Sequence, residues 1–320
     1  MTRDTTINRT TALTPRPSIL DAIGHTPAVR LTRLVEPGMA EVWIKLESHN
    51  PTGSYKDRMA LAMVEGAERS GRLRPGQTIV EYTGGSTGSS LAYVCSIKGY
   101  PLRIVSSDAF AAEKIQTMRA FGAAVELIPS PTGITPTLIP AMRARAAEIA
   151  AEIGAYQTDQ FNNHDMVDGY VALGDELADA LDDRLDTWTN YVGTAGCFLG
   201  VTRALRARIP AIERVIVEPE ESAVYSGRPA GTHRIEGGGT GFIAPQMRPG
   251  DWDGIEIVST ADAFAMARRA AREEGLWSGP STGANIVAAL RIARRLGEGR
   301  RVATVLVDSG LKYLGGELFR

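Results

Sequence analysis

The chain has 320 residues, 43% of them hydrophobic, and a formal net charge of -2. That length exceeds one small core and fits one large or two closely associated α/β domains. Near-neutral charge supplies neither a basic stripe nor an acidic tail, which argues against nucleic acid and anionic membrane as partners and leaves a small molecule.

From the N-terminus, residues 1–17 are Thr-rich, close on Pro15-Arg16-Pro17 and carry no periodicity, so they are expected to form a flexible arm. They lack a charged-then-apolar signal pattern, and no apolar run in the chain reaches the roughly 18 residues of a membrane span. A soluble cytoplasmic protein is expected. Next comes Asn50-Pro51-Thr52-Gly53-Ser54-Tyr55-Lys56-Asp57-Arg58, opening an amphipathic run to Gly66. Pro51 and Gly53 permit a sharp reversal that delivers Lys56 to the first turn of a helix. The positive end of the helix dipole disfavours an ammonium there, so Lys56 is biased toward the neutral amine that attacks an aldehyde. The competing reading is a solvated lysine at the start of a surface helix.

Beyond it, short apolar runs at 78–83, 102–107, 123–129, 189–192, 214–218, 255–259 and 302–308 read as strands. Segments with a 3.6-residue period at 87–98, 114–121, 137–153, 198–208, 261–274 and 284–296 read as helices. Their alternation predicts parallel sheets covered by helices on both faces, with ligands at the strand C-terminal ends. The charged stretch 179–186 is expected to be a solvated connection, with a domain boundary somewhere near 160–190.

Three glycine turns each precede a helix. Thr83, Gly84, Gly85, Ser86 and Thr87 follow the strand at 78–83, and their N–H groups and hydroxyls suit a carboxylate; a turn using glycine for steric reasons reads equally well. Gly193, Thr194, Ala195, Gly196 and Cys197 suit a phosphate dianion. Their rival is a dinucleotide, with Glu218 as the ribose acid, although a compact G-x-G-x-x-G is missing. At Gly279–Asn285, the Ser281 hydroxyl could meet a ring nitrogen, or Ser281 and Thr282 could simply cap the helix. The run 237–241 reads as a mobile loop. The two cysteines, Cys95 and Cys197, have no paired spacing and four scattered histidines have no ligand spacing, so neither a disulfide framework nor a metal is expected.

In this order the motifs Ile23-Gly24-His25-Thr26-Pro27, NPTGSYKDR, TGGSTG, GTAGC, His233 to Phe242, SGPSTGAN and Asp308-Ser309-Gly310-Leu311-Lys312-Tyr313-Leu314 resemble the cysteine synthase (O-acetylserine sulfhydrylase) family of fold-type II pyridoxal-phosphate enzymes, relatives of the tryptophan synthase β chain. The resemblance spans 18–319. It implies two open, twisted, mostly parallel sheets flanked by helices, with residues 46–160 forming a smaller mobile domain and 18–45 with 161–320 a larger cofactor-binding one. It further implies that Lys56 forms the Schiff base with pyridoxal 5'-phosphate, that residues 193–197 hold the phosphate, and that Ser281 faces the pyridine nitrogen. Thr83 to Thr87 and Gln160 then grip the substrate carboxylate, Ser86 also touches the cofactor, and the protein is a homodimer.

The resemblance implies β-replacement on O-acetyl-L-serine with sulfide, Lys56 serving as base for the α-proton. Other outcomes of the same chemistry are condensation with another thiol or a nitrogen nucleophile, and serine/threonine deamination. A silent scaffold and a nicotinamide oxidoreductase are the alternatives from other classes. Two positions depart from the family: Ser86 stands where Asn is usual, and Gly84 where Ser is usual. The stretch after Phe161 is also shorter than usual. These departures bear on which substrate enters.

Overall fold

The computed structural model describes residues 16–131, 135 and 137–320; the expected arm at 1–17 therefore lies outside the described residues but for its last two. Two sheets organise the chain. The six-stranded one runs β1-β2-β10-β7-β8-β9, comprising β1 (Ala28–Arg30), β2 (Glu41–Leu46), β7 (Thr187–Tyr191), β8 (Glu213–Pro219), β9 (Gly254–Val258) and β10 (Arg301–Leu306). Only β1 is antiparallel to its neighbour. The four-stranded sheet, wholly parallel, has the order β5-β4-β3-β6, from β3 (Ile79–Tyr82), β4 (Leu102–Ser107), β5 (Ala124–Ile128) and β6 (Tyr156–Gln157).

Nine α-helices are present among the described residues: α1 (Lys56–Arg69), α2 (Ser86–Lys98), α3 (Ala112–Ala120), α4 (Leu138–Ile153), α5 (Asp165–Asp168), α6 (Val171–Ala180), α7 (Gly196–Arg208), α8 (Thr260–Glu274) and α9 (Pro280–Leu296). The expected strands and helices fall within a few residues of those observed. Five elements add to them. β1 and β2 carry Arg30, Glu41 and Lys45, which break the apolar run, and β6 has only two residues. α5 and α6 fill the interval read as a boundary, and Asp179 ends in α6 instead of a loop.

Parallel strands deliver their C-terminal ends to one edge, and three neighbours in the large sheet do so here. β2 leads into the turn before Lys56, β7 into Gly193–Cys197, and β10 into Asp308. The first and last are stitched together. Tyr55 N–H donates to Val307 O at 3.0 Å, Ser309 N–H to Gly53 O at 2.9 Å, and Ser54 pairs with Asp308 as an isolated bridge. β3 brings the turn at 83–86 from the other sheet.

What fixes α1 is mostly charge. Arg58 makes two forked pairs, through Nε and Nη2 to Glu47 at 2.8 and 2.9 Å and through Nη1 and Nη2 to Glu176 at 2.8 Å each. Lys45 Nζ lies 2.5 Å from Glu176, and Thr26 Oγ1 donates to Glu47 at 2.6 Å. Asn50 bridges Glu47 at 2.7 Å to the N–H of Gly24 at 2.8 Å. This network explains why Gly24-His25-Thr26 accompanies the lysine motif. Paired this fully, buried charges become tolerable and hold α1 at one orientation. The apolar face of α1, Met59, Ala60, Met63, Val64 and Ala67, is fully covered in the core.

Candidate active site

Lys56 is the first residue of α1 and is 6% exposed. The expectation of a near-neutral amine rested on the helix dipole; burial supplies the main cause instead. Desolvation pulls the ammonium down to about 8, against the opposing pull of Cys197 and Asp308. Its Nζ lies 3.4 Å from the Tyr55 hydroxyl and 4.5 Å from the centre of that ring. A solvated surface lysine is thereby excluded. Asp57, next in line, is spent on the turn, accepting from Thr52 N–H at 2.8 Å and Thr52 Oγ1 at 2.5 Å.

The Gly193–Cys197 turn opens α7, whose first N–H groups have no carbonyl one turn back to receive them. Ala195 sits at φ 70°, a left-handed conformation that is uncommon without glycine and that turns its amide into a concave nest. A side chain on Gly193 would collide with the carbonyl of Gly237. The run at 237–241, expected to be a mobile loop, is therefore packed on this turn. Gly239 N–H donates to Val192 O at 3.1 Å and Tyr191 Oη to Ile235 O at 3.0 Å. His233 completes the wrap, its Nε2 at 2.7 Å from Gly239 O and its Nδ1 accepting from Ile235 N–H at 3.2 Å.

Glu218 does not serve a ribose. Its carboxylate accepts from the N–H groups of Tyr225 at 2.8 Å and Ser226 at 2.9 Å and from Ser226 Oγ at 2.5 Å, closing a turn.

At the head of α9 neither Ser281 nor Thr282 caps the helix, whose N-cap is Gly279. Thr282 Oγ1 accepts from Val307 N–H at 3.0 Å and so is structural. Ser281 Oγ is buried and bonds to no described residue. A Cβ on Gly237 would lie 3.9 Å from it, so Ser281 shares a wall with the 193–197 turn. Asn285 anchors the helix between β7 and β10, accepting from Tyr191 N–H at 2.6 Å and donating to Val305 O at 2.9 Å.

The turn at 83–87 is held from below. Thr83 Oγ1 accepts from Gly85 N–H at 3.1 Å, and Thr87 Oγ1 donates to Gln160 Oε1 at 2.8 Å. Gln160 in turn donates to Tyr82 O at 3.1 Å. Both departures from the family have a physical partner. A side chain at Gly84 would meet the Phe110 ring at 2.5 Å, and one at Gly85 would collide with the Lys114 stem. Ser86 Oγ donates to Asp308 Oδ2 at 3.3 Å, which also accepts from Tyr313 Oη at 2.8 Å. Sequence reasoning singles out neither Asp308, Phe110 nor Lys114 as a site residue. The available signal is that Asp308 closes a strand and opens the 308–314 motif.

Lys56, an anion nest, an unpaired buried hydroxyl and the 83–87 turn thus meet at one edge. This set matches the needs of pyridoxal phosphate: an amine for its aldehyde, N–H groups for its phosphate, a neutral partner for its ring nitrogen. The family model for "pyridoxal-phosphate dependent enzyme" matches residues 19–308. A cysteine synthase of Staphylococcus aureus is 39% identical over 307 residues, 95% of this chain and 97% of that protein. The structure of a cysteine synthase from Entamoeba histolytica superposes with a TM-score of 0.90 at 32% identity, covering 96% of this chain and 91% of that one. An O-acetylserine-dependent cystathionine β-synthase from Helicobacter pylori gives 0.90 at 35% identity, covering 96% and 100%.

Proposed function

This chain belongs to the pyridoxal-phosphate-dependent enzyme family, and from that premise we propose that it is an O-acetylserine sulfhydrylase, replacing the acetate of O-acetyl-L-serine with sulfide to give L-cysteine. The observation that carries the reading is the Lys56 amine, buried at the head of α1 and depressed to about 8. The bound cofactor supplies an aldehyde for that amine and an electron sink for the substrate's α-carbon.

The chain's own residues do the rest. Lys56 would anchor the cofactor, and as a free amine depressed to about 8 it can take the α-proton near neutral pH. Residues 193–197 would hold the phosphate through backbone N–H groups, and the unpaired Ser281 hydroxyl would face the ring nitrogen. A hydroxyl there, unlike a carboxylate, leaves the ring a milder sink, which suits fast elimination and replacement over transamination. Thr83, Gly84, Gly85, Ser86 and Thr87 receive the substrate carboxylate, with Gln160 steadying Thr87. We assign 46–160 to a smaller unit and 18–45 with 161–320 to a larger one; the bonds of Arg58 to Glu176 and of Tyr55 to Val307 tie the start of α1 and Lys56 to the larger unit, so motion falls on the 83–87 turn and its sheet. We place the protein in the cytoplasm as a homodimer; among the described residues no helix is long and apolar enough to cross a membrane.

The test is cysteine formation from O-acetyl-L-serine and sulfide by purified protein loaded with pyridoxal phosphate, with Lys56→Ala as control. The wild type should turn over and the variant lose about a thousandfold or more, the scale on which removal of a covalent catalyst acts. Retention of activity by Lys56→Ala, or borohydride fixing the cofactor elsewhere, refutes the assignment.

A further inference from the structure

Ser86 has one proton to give, and it is spent inside the protein. The residue opens α2 at the centre of the carboxylate turn, and its hydroxyl donates to Asp308 Oδ2. Asp308 is 2% exposed and is itself fixed: the Ser54 bridge holds its backbone, Tyr313 donates to Oδ2, and Tyr313 is pinned from the far side by the Lys114 ammonium, 4.4 Å from its ring centre. Lys114 is paired with Glu236 at 2.5 Å, one residue before the glycine run that walls the phosphate turn. A carboxylate accepts only, so this chain of bonds has one direction, from Ser86 and Tyr313 into Asp308.

Resting on the proposed function, we propose that Asp308 is a positioning residue that sets the hydrogen-bond polarity of Ser86: with its proton committed to Asp308, the Ser86 hydroxyl meets the cofactor as an acceptor, and Ser86 serves the substrate carboxylate through its backbone N–H. An amide at this position could donate as well as accept. The difference falls on the cofactor atom that the family resemblance sets beside position 86, the ring oxygen of pyridoxal phosphate. An acceptor facing that oxygen favours the form in which the oxygen keeps its proton; a donor favours the form in which the proton resides on the nitrogen joined to Lys56. The two forms absorb at shorter and longer wavelength respectively, so the polarity of one hydroxyl becomes visible in a spectrum without turnover.

The experiment is the absorbance spectrum of protein loaded with pyridoxal phosphate, for wild type, Asp308→Ala, Ser86→Ala and the double variant. Freed from Asp308, Ser86 can donate, so Asp308→Ala should shift the ratio of the two bands toward long wavelength by about fivefold, the scale of one ordinary hydrogen bond. In the Ser86→Ala background the same substitution should move the ratio less than about twofold, because the coupling acts through the hydroxyl. Asp308→Asn keeps the shape of the side chain and should give a smaller shift in the same direction, which covers failure of the alanine variant to fold. An equal shift with and without Ser86, or no shift in either Asp308 variant, overturns the proposal. Failure of the proposed function itself shows separately, as a wild-type protein with no lysine-linked cofactor band.

Discussion

Lys56 and Arg58 are two residues apart on one helical turn, both cationic and both buried, yet they face different worlds. Arg58 engages Glu47 and Glu176 through all three guanidinium nitrogens, and burial, which works against its charge, is outweighed by those carboxylates so that its pKa rises. Lys56 has one weak contact with Tyr55 and a depressed pKa. The contrast extends outward. Behind Arg58 lie Lys45, Thr26 and Asn50, each with named partners, while around the edge that Lys56 faces stand the unpaired Ser281 Oγ and Asp308 Oδ1. Satisfied polar groups build the scaffold; unsatisfied ones also occur elsewhere in the core, as at Tyr170 Oη and Trp188 Nε1, so what sets Ser281 and Asp308 apart is that they stand on the edge Lys56 faces.

The largest expected effect breaks the scaffold side. Arg58→Ala strands Glu47, which is 0% exposed, and should cost about 3–5 kcal/mol, the range for removing one partner of a buried pair. Urea denaturation of cofactor-free protein measures it. Lys56→Ala, on the same turn, removes a desolvated amine with no ion partner and should leave that midpoint unlowered. Equal losses in the two variants would erase the distinction.

Acid sharpens it further. Burial opposes ionisation of Glu176, but the hydrogen bonds and charges of Arg58 and Lys45 win and hold its carboxyl at about 2, below the ordinary 4.5. A depressed carboxyl stabilises the fold above its unfolded pKa, and that contribution is lost as pH falls from about 4.5 through 2. Glu176→Gln should therefore be less stable than wild type at neutral pH by about 3 kcal/mol, with the two curves converging toward pH 2. Denaturation midpoints across that window decide it; parallel curves would mean that the pair is not what sets the acid limit.

Much of this architecture is legible in the amino-acid order alone. The period of the apolar residues predicts seven strands and six of the helices, because long runs on a buried face leave a pattern that turns and caps cannot hide. β2 escapes it, since Lys45 and Glu41 interrupt the run for the sake of the ion network and an edge contact with Trp43. Turn chemistry brings Lys56, the 193–197 turn and Ser281 to notice, the family resemblance adds Gln160, and the fold sets the first two at the strand ends of the large sheet while Gln160 supports Thr87 from the other. What no local pattern can show is the role of residues distant in sequence: Ser86 and Asp308 are 222 positions apart, and Phe110 explains Gly84 only through space. The glycine run at 237–241 misleads for the opposite reason. Glycine is used there for close approach of backbone to backbone, and composition alone cannot separate that from flexibility.

The smallest effect is the most discriminating, because it compares neighbouring hydroxyls. Thr282 Oγ1 accepts from Val307 N–H, a buried donor with its bond already made. Thr282→Val keeps the shape but orphans that N–H, and should cost the cofactor-free protein about 1–2 kcal/mol. Ser281→Ala deletes a buried hydroxyl with no described partner, so it removes a desolvation burden and should leave stability unchanged or raise it by about 1 kcal/mol or less. Cofactor affinity should invert the order. Fluorescence titration with pyridoxal phosphate should show Ser281→Ala binding more weakly than wild type and Thr282→Val binding nearly as well. If Ser281→Ala instead lowers the denaturation midpoint as far as Thr282→Val while binding pyridoxal phosphate normally, the hydroxyl belongs to the scaffold and the reserved edge shrinks to Lys56 and the anion nest.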